Sequence, residues 1–290
     1  MKSMRNMGYI SAIQKPAGTY DPPRDDPASS PGLVAATGRW TIHQVQGLIA
    51  FISIAAAVLR QSCRLLTWRR TVRSEFFHQC HRVGTRALPF IMLTALIAGM
   101  GIVFETLYWL KVFGQSDFAG SLLVVVLVRE VAPLLVALIV IGRSISVIMI
   151  ELGIMQAGGQ IRMLDAQGID PFIYLLVPRV MAVSVCMFSL TIAFTVVTLA
   201  AGFVAGNALS ATNSTVYDFV FEILSAMGPA DFATIPVKTL SIGYITALIG
   251  CTTGLSFSGI APDVHNLLPS GIMKSVIATL LITVVVTLLI

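Results

Sequence analysis

Five stretches of apolar residues, each long enough to cross a lipid bilayer as a helix, follow the first 86 residues. They cover approximately residues 87–110, 118–150, 180–206, 235–257 and 273–290. A bilayer core about 30 Å thick needs roughly 20 apolar residues per helix. The stretches are continuously apolar rather than alternating, which favours helices over a β-barrel. The sequence therefore predicts an all-α membrane protein with about five transmembrane helices.

The composition argues against a water-soluble domain and against several kinds of chemistry. Only 11% of the residues are charged and 56% are hydrophobic, whereas soluble proteins carry about 25% charged residues. The four cysteines are far apart and form no C-x-x-C pair, so neither a disulfide framework nor a metal site is predicted. No Gly-rich P-loop occurs, so the chain is not expected to hydrolyse ATP. No catalytic residue is assigned.

The distribution of charge predicts the orientation in the membrane. Residues 1–86 hold 12 Lys and Arg against 4 Asp and Glu, and residues 87–290 hold 7 against 10. The positive-inside rule explains this excess more simply than nucleic-acid binding, and it places the start of the first span in the cytoplasm. Five crossings then put the C-terminus outside. The segment after the third span reads as an acidic outer loop, with Asp218, Glu222 and Asp231.

The region before the first span divides into two parts. Residues 1–38 are rich in Pro, Ser and Gly, which predicts a disordered cytoplasmic tail. Within residues 39–86 the apolar run from Leu48 to Leu59 is short and is followed by arginines, which favours an interfacial helix and a basic segment. A membrane crossing by residues 40–66 is the alternative, and it would give six spans.

Two adjacent charged residues, Arg129 and Glu130, lie inside the second predicted span. Charges at that depth cost several kcal/mol unless they face a partner, a cavity or water. They are candidate functional residues, and a structural ion pair that fixes helix packing is an equally weighted alternative. Gly142 and Arg143 are placed at the cytoplasmic end of the same span, where the arginine is expected to reach the headgroups.

A polar, glycine-bearing segment separates the second span from the third. Four apolar residues are spaced to form a strip on one short helix that Gly168 would end: Ile154, Met155, Ile161 and Leu164. Such a helix on the cytoplasmic side could dock in a groove of another protein. It could equally lie on the membrane, because the spacing does not distinguish the two.

Six short motifs follow one another between residues 129 and 179. They are Arg129-Glu-Val-Ala-Pro133, Gly142-Arg143, Glu151-Leu-Gly-Ile-Met155, Gln160-Ile161, Gly168-Ile-Asp-Pro171 and Pro178-Arg179, with a further echo in Gly250-Cys251 and Gly254-Leu255. The series resembles the signature of the MlaE/YrbE family of ABC transporter permeases. The resemblance covers roughly residues 87–290, which would form a five-span permease domain.

The resemblance implies a function and a set of partners. The chain would be the permease subunit of a transporter that moves phospholipid or a similar lipid between the bacterial inner membrane and a periplasmic MCE-domain protein. The implied partners are a second permease subunit, expected to be identical, and a cytoplasmic ABC ATPase that binds ATP and Mg²⁺. No cofactor is expected on this chain itself. The N-terminus would be cytoplasmic and the C-terminus periplasmic.

The resemblance also implies roles for particular residues. Residues 151–168 would contain the coupling helix that contacts the ATPase. The candidate coupling residues are Glu151, Leu152, Gly153, Met155, Gln160, Ile161, Leu164, Gly168 and Asp170. Arg129 and Glu130 match the charged pair of the family. The chain departs from the family at Gly159, where an acidic residue is common, and at Ser144–Val147, where small residues are usual.

Two other functions are compatible with the same residues. An enzyme could use Arg129 and Glu130 as an acid/base pair on a lipid headgroup, and the purified chain alone would then turn over substrate. A non-catalytic scaffold would tolerate a charge-neutral replacement of Glu130 without loss of lipid traffic. The sequence lacks a G-x-S-x-G elbow and an H-E-x-x-H motif, which argues against a hydrolase.

Overall fold

The computed structural model describes residues 33–62, 70–113, 122–208, 215–256 and 267–289, in which the regular structure is entirely helical. The α-helices are α1 Leu33–Ser62, α2 Arg70–Ala98, α3 Phe104–Val112, α4 Ala132–Val140, α5 Ser146–Ala157, α6 Gln160–Ala166, α7 Val177–Ala208, α8 Val216–Ala226, α9 Pro229–Leu255 and α10 Leu267–Leu289. Four π-helical stretches connect some of them: Gly99–Val103, Val124–Val131, Ile141–Ile145 and Phe172–Leu176. The predicted all-α fold is confirmed.

Five continuous helical segments of the described chain are long and apolar enough to cross a membrane, as predicted. They are span 1 (Val72–Leu110), span 2 (Val124–Ala157), span 3 (Phe172–Ala208), span 4 (Pro229–Leu255) and span 5 (Leu268–Leu289). The helix that contains span 1 begins at Arg70 rather than near Ala87. No proline or glycine lies between residues 70 and 83, so nothing in the basic segment ends the helix.

The N-terminal helix α1 begins at Leu33, so residues 33–38 are helical, although they were predicted to belong to a disordered tail. The rest of that tail lies outside the described residues. The apolar part of α1, Ile49–Ser62, is shorter than a membrane span. The hydroxyl of Tyr244 in span 4 donates a hydrogen bond to the backbone oxygen of Ala55 at 2.6 Å, which attaches α1 to the bundle. Its interfacial position stays a prediction.

Successive spans run in alternating directions, and their contacts define two ends of the bundle. At the first, called the Arg129 end, the starts of spans 2 and 4 meet the last turns of span 5. At the second, called the Glu151 end, span 2 passes close to Gly254 of span 4 and Gly271 of span 5. Span 3 packs against both span 1 and span 4. A core of buried aliphatic side chains fills the space between the ends.

Spans 1 and 3 approach each other closely at Gly99, where the first π-helical stretch begins. A Cβ atom added to Gly99 would clash with the backbone oxygen of Thr198 and lie 3.0 Å from the Cβ of Ala201. A Cβ atom added to Gly101 on the same helix would meet nothing within 4 Å. Small residues at such contacts let membrane helices pack closely, which matters because lipid supplies no hydrophobic force between them.

We expect Gly99→Ala to lower the free energy of unfolding by about 1–3 kcal/mol, because the added methyl group overpacks the contact between spans 1 and 3. Gly101→Ala, on the same π-helical stretch, is the matched control and should change stability little. Thermal unfolding of the two purified variants in the same detergent measures the difference. Equal melting temperatures would show that span 3 does not pack this closely on span 1.

Candidate functional site

Arg129 and Glu130 lie in the π-helical stretch Val124–Val131, near the Arg129 end of the bundle rather than midway along it. They do not form one couple with each other. Arg129 pairs with Asp231 and Glu130 pairs with Lys238, so each charged residue of span 2 is held by a residue of span 4. Two ion pairs across the spans therefore replace the single Arg–Glu couple that the sequence suggested.

Lys238 connects spans 2, 4 and 5 through its ammonium group. Its side chain is only 2% exposed, and its Nζ lies 2.7 Å from Oε1 of Glu130. The same Nζ donates hydrogen bonds to the backbone oxygen of Arg129 at 2.8 Å and to Oγ1 of Thr287 at 3.1 Å. An ammonium group has three protons to donate, so all three are used. Thr287 donates to Oε1 of Glu130 at 2.7 Å, which brings span 5 into the network.

Pro133 removes the α-helical donor to the backbone oxygen of Arg129. In an α-helix this oxygen would accept a hydrogen bond from the N–H group four residues later. That residue is Pro133, which has no N–H group. The Lys238 ammonium supplies a donor from a neighbouring span, and the backbone oxygen is satisfied without water.

Asp231 holds Arg129 at the first turn of span 4. Nε of Arg129 lies 2.5 Å from Oδ1 of Asp231, and Nη2 donates a hydrogen bond to Oδ2 at 2.8 Å. Oδ2 also accepts a hydrogen bond from the backbone N–H of Gly228 at 2.9 Å, which caps the helix. The Asp231 side chain is 2% exposed. Asp231 therefore belongs to the first turn of span 4 and not to a loop, and the outer position of this end of the bundle stays a prediction.

The four charged groups are neutral in total but differ in exposure. Arg129 and Glu130 have side chains that are 36% and 37% exposed, whereas their partners Asp231 and Lys238 are both 2% exposed. Buried counter-charges therefore hold one cation and one anion side by side at the edge of the bundle. Such a surface can bind a ligand that carries both signs of charge, or an anion at the guanidinium.

The exposed side of this site continues as an apolar surface. Leu122, Val125 and Val126 are 40%, 48% and 43% exposed. Val125 and Val126 lie four and three residues before Arg129 in the same π-helical stretch, and all three side chains are exposed at the outside of the bundle. A charged site and an apolar strip are therefore exposed next to each other on span 2.

At the opposite end of the bundle, Glu151 is bound by two arginines. Nη2 of Arg82 in span 1 forms an ion pair with Oε2 of Glu151, and Nη2 of Arg179 in span 3 lies 3.1 Å from Oε1. The Arg179 side chain is 3% exposed. Glu151 therefore connects spans 1, 2 and 3, and both of its oxygens are engaged within the chain.

The helix of span 2 extends past its predicted end and includes Glu151. The sequence predicted that the span ends at residue 150, because the charged Glu151 follows. The helix instead continues to Ala157. Gly142 and Arg143 therefore lie inside the helix of span 2 and not in its last turn, and their position at the cytoplasmic surface stays a prediction. The Arg143 guanidinium lies over the ring of Phe90 on span 1, 5.9 Å from its centre, a cation–π contact.

The segment predicted to form one short helix contains two helices with a sharp bend between them. α5 ends at Ala157 and α6 covers Gln160–Ala166. Gly159 between them has φ 70° and Gly168 after α6 has φ 76°, a left-handed conformation that glycine adopts readily. The prediction that Gly168 follows the end of the helix is confirmed, and the single helix is wrong because Gly158 and Gly159 interrupt it.

The candidate coupling residues differ in whether they can touch another protein. Leu152, Gly153 and Ile161 are buried, Glu151, Met155, Leu164 and Asp170 are partly exposed, and Gln160 and Gly168 are exposed. Ile161 is 3% exposed and fixes α6 to the bundle, whereas Met163 on the outward side is 62% exposed. The predicted apolar strip included Ile161, which is buried, and did not include Met163, which is exposed.

The structure also shows which functional candidates the sequence analysis overlooked. Lys238 stood inside the predicted fourth span, and an ionisable residue at such a position is a candidate by default. Arg179 stood in the motif series and Arg82 in the basic segment. Each could have been noticed alone, but their partners are 28 to 108 residues away in the chain, so only the fold identifies them.

These features define a multi-pass helical membrane protein whose charged residues are paired across its spans. The chain belongs to the MlaE permease family, because the family described as Permease MlaE matches residues 76–289. The match begins within span 1 and includes both ion-pair clusters.

Individual relatives agree with this assignment. The chain is 30% identical over 209 residues to a probable ABC transporter permease protein of Synechocystis sp., covering 72% of this chain and 79% of the relative. It is 29% identical over 238 residues to the protein TRIGALACTOSYLDIACYLGLYCEROL 1, chloroplastic, of Arabidopsis thaliana, covering 80% of this chain and 64% of that protein. A probable ABC transporter permease protein of Rickettsia felis is 26% identical over 255 residues, which are 88% of this chain and 96% of the relative.

We expect Lys238→Met to destabilise the protein by about 1–3 kcal/mol, because it leaves Glu130 without its cation and the Arg129 backbone oxygen without a donor. This loss of stability should be smaller than the loss caused by breaking a fully buried ion pair, because Glu130 is half-exposed. The double variant Glu130→Gln/Lys238→Met should recover part of it. Thermal unfolding in detergent measures both, with Lys274→Met, an exposed lysine of span 5, as the control. A loss no larger than that control would contradict the network.

Proposed function

We propose that this protein is the membrane subunit of an ATP-driven transporter that moves a phospholipid or a similar amphipathic lipid. Membership of the MlaE permease family supports a transport role. The relatives named as probable ABC transporter permeases support a separate ATPase partner. The plant relative bears the name of a galactolipid, which supports a lipid cargo.

The observation that carries the proposal is the half-exposed pair Arg129 and Glu130 beside an apolar strip. The Arg129 guanidinium is held from behind by Asp231 and can donate to a phosphate or another anionic head, while Val125 and Val126 offer an apolar surface to the tails. A phosphatidylethanolamine head would also place its ammonium near Glu130. A lipid needs both kinds of surface at once, and this face of span 2 provides them next to each other.

The Glu151 end is proposed to receive the mechanical work. The exposed side of α6 would seat in the ATPase, and ATP binding there would shift α6 relative to the bundle. α6 is joined to α5 only by Gly158 and Gly159, and α5 carries Glu151. Because Glu151 is paired with Arg82 and Arg179, a displacement of α5 would also pull on spans 1 and 3 through these ion pairs. The ATPase and lipid sites would then be coupled in free energy.

The wider setting follows from the same proposal. The protein would lie in the bacterial inner membrane, with the Glu151 end in the cytoplasm and the Arg129 end facing the periplasm. A second copy of the chain would complete the permease, and an MCE-domain protein would exchange lipid at the Arg129 end. ATP and Mg²⁺ would bind to the ATPase. This chain would act as a permease subunit rather than an enzyme.

The lipid proposal predicts that Arg129→Gln reduces the retained lipid. The complex would be purified from native membranes in mild detergent, and phospholipid per mole of protein would be measured by mass spectrometry. We expect a several-fold loss, because the neutral amide binds a phosphate more weakly than the guanidinium. Lys274→Gln removes a charge at the other end and is the control. Unchanged phospholipid in Arg129→Gln, with an unchanged melting temperature, would reject the headgroup site.

The docking proposal predicts that Met163→Asp weakens the association with the ATPase. A carboxylate at this exposed position would be buried without a partner in the contact, which costs several kcal/mol. Ser225→Asp, on an exposed helix position at the opposite end, is the control. Copurification of the ATPase with each variant is the measurement. Full recovery of an active ATPase with Met163→Asp would contradict docking through α6, and lipid turnover by the isolated chain would favour the enzyme alternative.

A further inference from the structure

The short helix α8, Val216–Ala226, connects span 3 to span 4 at the Arg129 end of the bundle. Its start is capped by Asp218, whose Oδ2 accepts a hydrogen bond from the backbone N–H of Thr215 at 3.3 Å. Phe219 and Ile223 are each 5% exposed and belong to a small buried cluster with residues of spans 1 and 2. One side of α8 is therefore fixed to the bundle.

The remaining surface of α8 is mostly apolar and exposed. Five side chains on it are 47–73% exposed: Val216, Tyr217, Val220, Phe221 and Leu224. The rings of Tyr217 and Phe221 stack on each other, with centres 6.3 Å apart. The polar residues Asp218, Glu222 and Ser225 occupy a separate position on the helix. A contiguous apolar and aromatic surface of this kind marks an interaction site.

The order of these side chains around the helix axis corresponds to three environments. At about 100° per residue, the buried residues Phe219 and Ile223 fall in one sector. The exposed apolar residues fall in a second sector next to it, and the polar residues fall in a third sector between the other two. A helix in the plane of a membrane, at the rim of a bundle, meets the bundle, the lipid and the water on three such sides.

The surroundings of α8 place it at the level of the membrane interface. The ring of Phe219 lies 5.1 Å from that of Phe203, in the last turns of span 3. The same buried cluster includes Leu110 at the end of span 1. Beside Leu110, Tyr108 and Trp109 are each 49% exposed. Exposed tyrosine and tryptophan at the ends of membrane helices are typical of the headgroup region.

We propose that α8 lies in the headgroup region of the leaflet at the Arg129 end, with Tyr217, Phe221 and Leu224 inserted among the upper acyl chains. Its occupant is thus a lipid surface, continuous with the lipid-facing surface of the spans. Binding rests on apolar area rather than on charge, because the polar sector carries the acidic Asp218 and Glu222. This inference does not depend on what the protein transports.

Insertion of α8 in the leaflet would also affect the charged site, because α8 is close to Arg129 along the chain of contacts. Met227 and Gly228 alone separate α8 from span 4, and the N–H of Gly228 bonds to Asp231, which holds Arg129. A helix inserted in the leaflet therefore fixes the start of span 4 relative to the lipid surface. The depth of Arg129 in the membrane is set by the same anchor.

Depth-dependent fluorescence quenching tests the proposal on the full chain in nanodiscs. The native Trp40, Trp68 and Trp109 would be replaced by Phe, and single tryptophans introduced as Phe221→Trp and, in the polar sector of the same helix, Ser225→Trp. Lipids brominated near the ester end of their acyl chains report membrane insertion, and iodide reports exposure to water. Tyr217→Trp provides a second reporter in the apolar sector.

We expect Phe221→Trp and Tyr217→Trp to be quenched several-fold more by brominated lipid than Ser225→Trp, and several-fold less by iodide. The difference should be the same in nanodiscs of phosphatidylcholine with and without phosphatidylglycerol. Equal quenching of all three positions by iodide would show a water-exposed face and overturn the proposal. Protection of Phe221→Trp from iodide without quenching by brominated lipid would show a protein contact, such as a second copy, and would also overturn it.

Discussion

The bilayer offers no water to a charged side chain, and the arrangement of spans 2, 4 and 5 follows from this constraint. Lys238 is buried to 98% of its side chain surface and needs three acceptors for its ammonium protons. It finds them on Glu130, on the backbone of Arg129 and on Thr287. A slide of one helix turn between spans 2 and 4 would remove these acceptors, so the network fixes their relative height where apolar packing alone would not.

At the Glu151 end, too, the charged side chains are paired within the bundle, but different spans are connected. One carboxylate is shared by Arg82 and Arg179, so spans 1, 2 and 3 meet at a single acidic residue. Its loss would leave two buried or half-buried cations facing each other. The two ends thus connect different sets of spans, with span 2 common to both. Span 2 therefore connects the Glu151 ion pairs and α6 to Arg129 and Glu130.

The two ends of span 2 expose different surfaces, and both lie in the region that matches the family. The described chain has half-exposed charges near one end of span 2 and the glycine bend that leads to α6 at its other end. The Arg129 end combines half-exposed charges with an apolar strip, whereas α6 presents Met163 and polar side chains on a bend made by two glycines. The match to the MlaE permease family covers both ends.

The sequence by itself determined the class of fold and the number of spans, and it predicted Arg129, Glu130 and the segment after Glu151 as candidate functional residues. Hydropathy is a local property and the bilayer fixes the length of a span, so these features could be predicted without coordinates. The tertiary structure decided the partners of each charge, the continuation of span 2 to Ala157 and the division of the coupling segment. Pairing depends on the distance between helices that are far apart in the chain, and Asp231 and Lys238 reach span 2 only when span 4 packs against it.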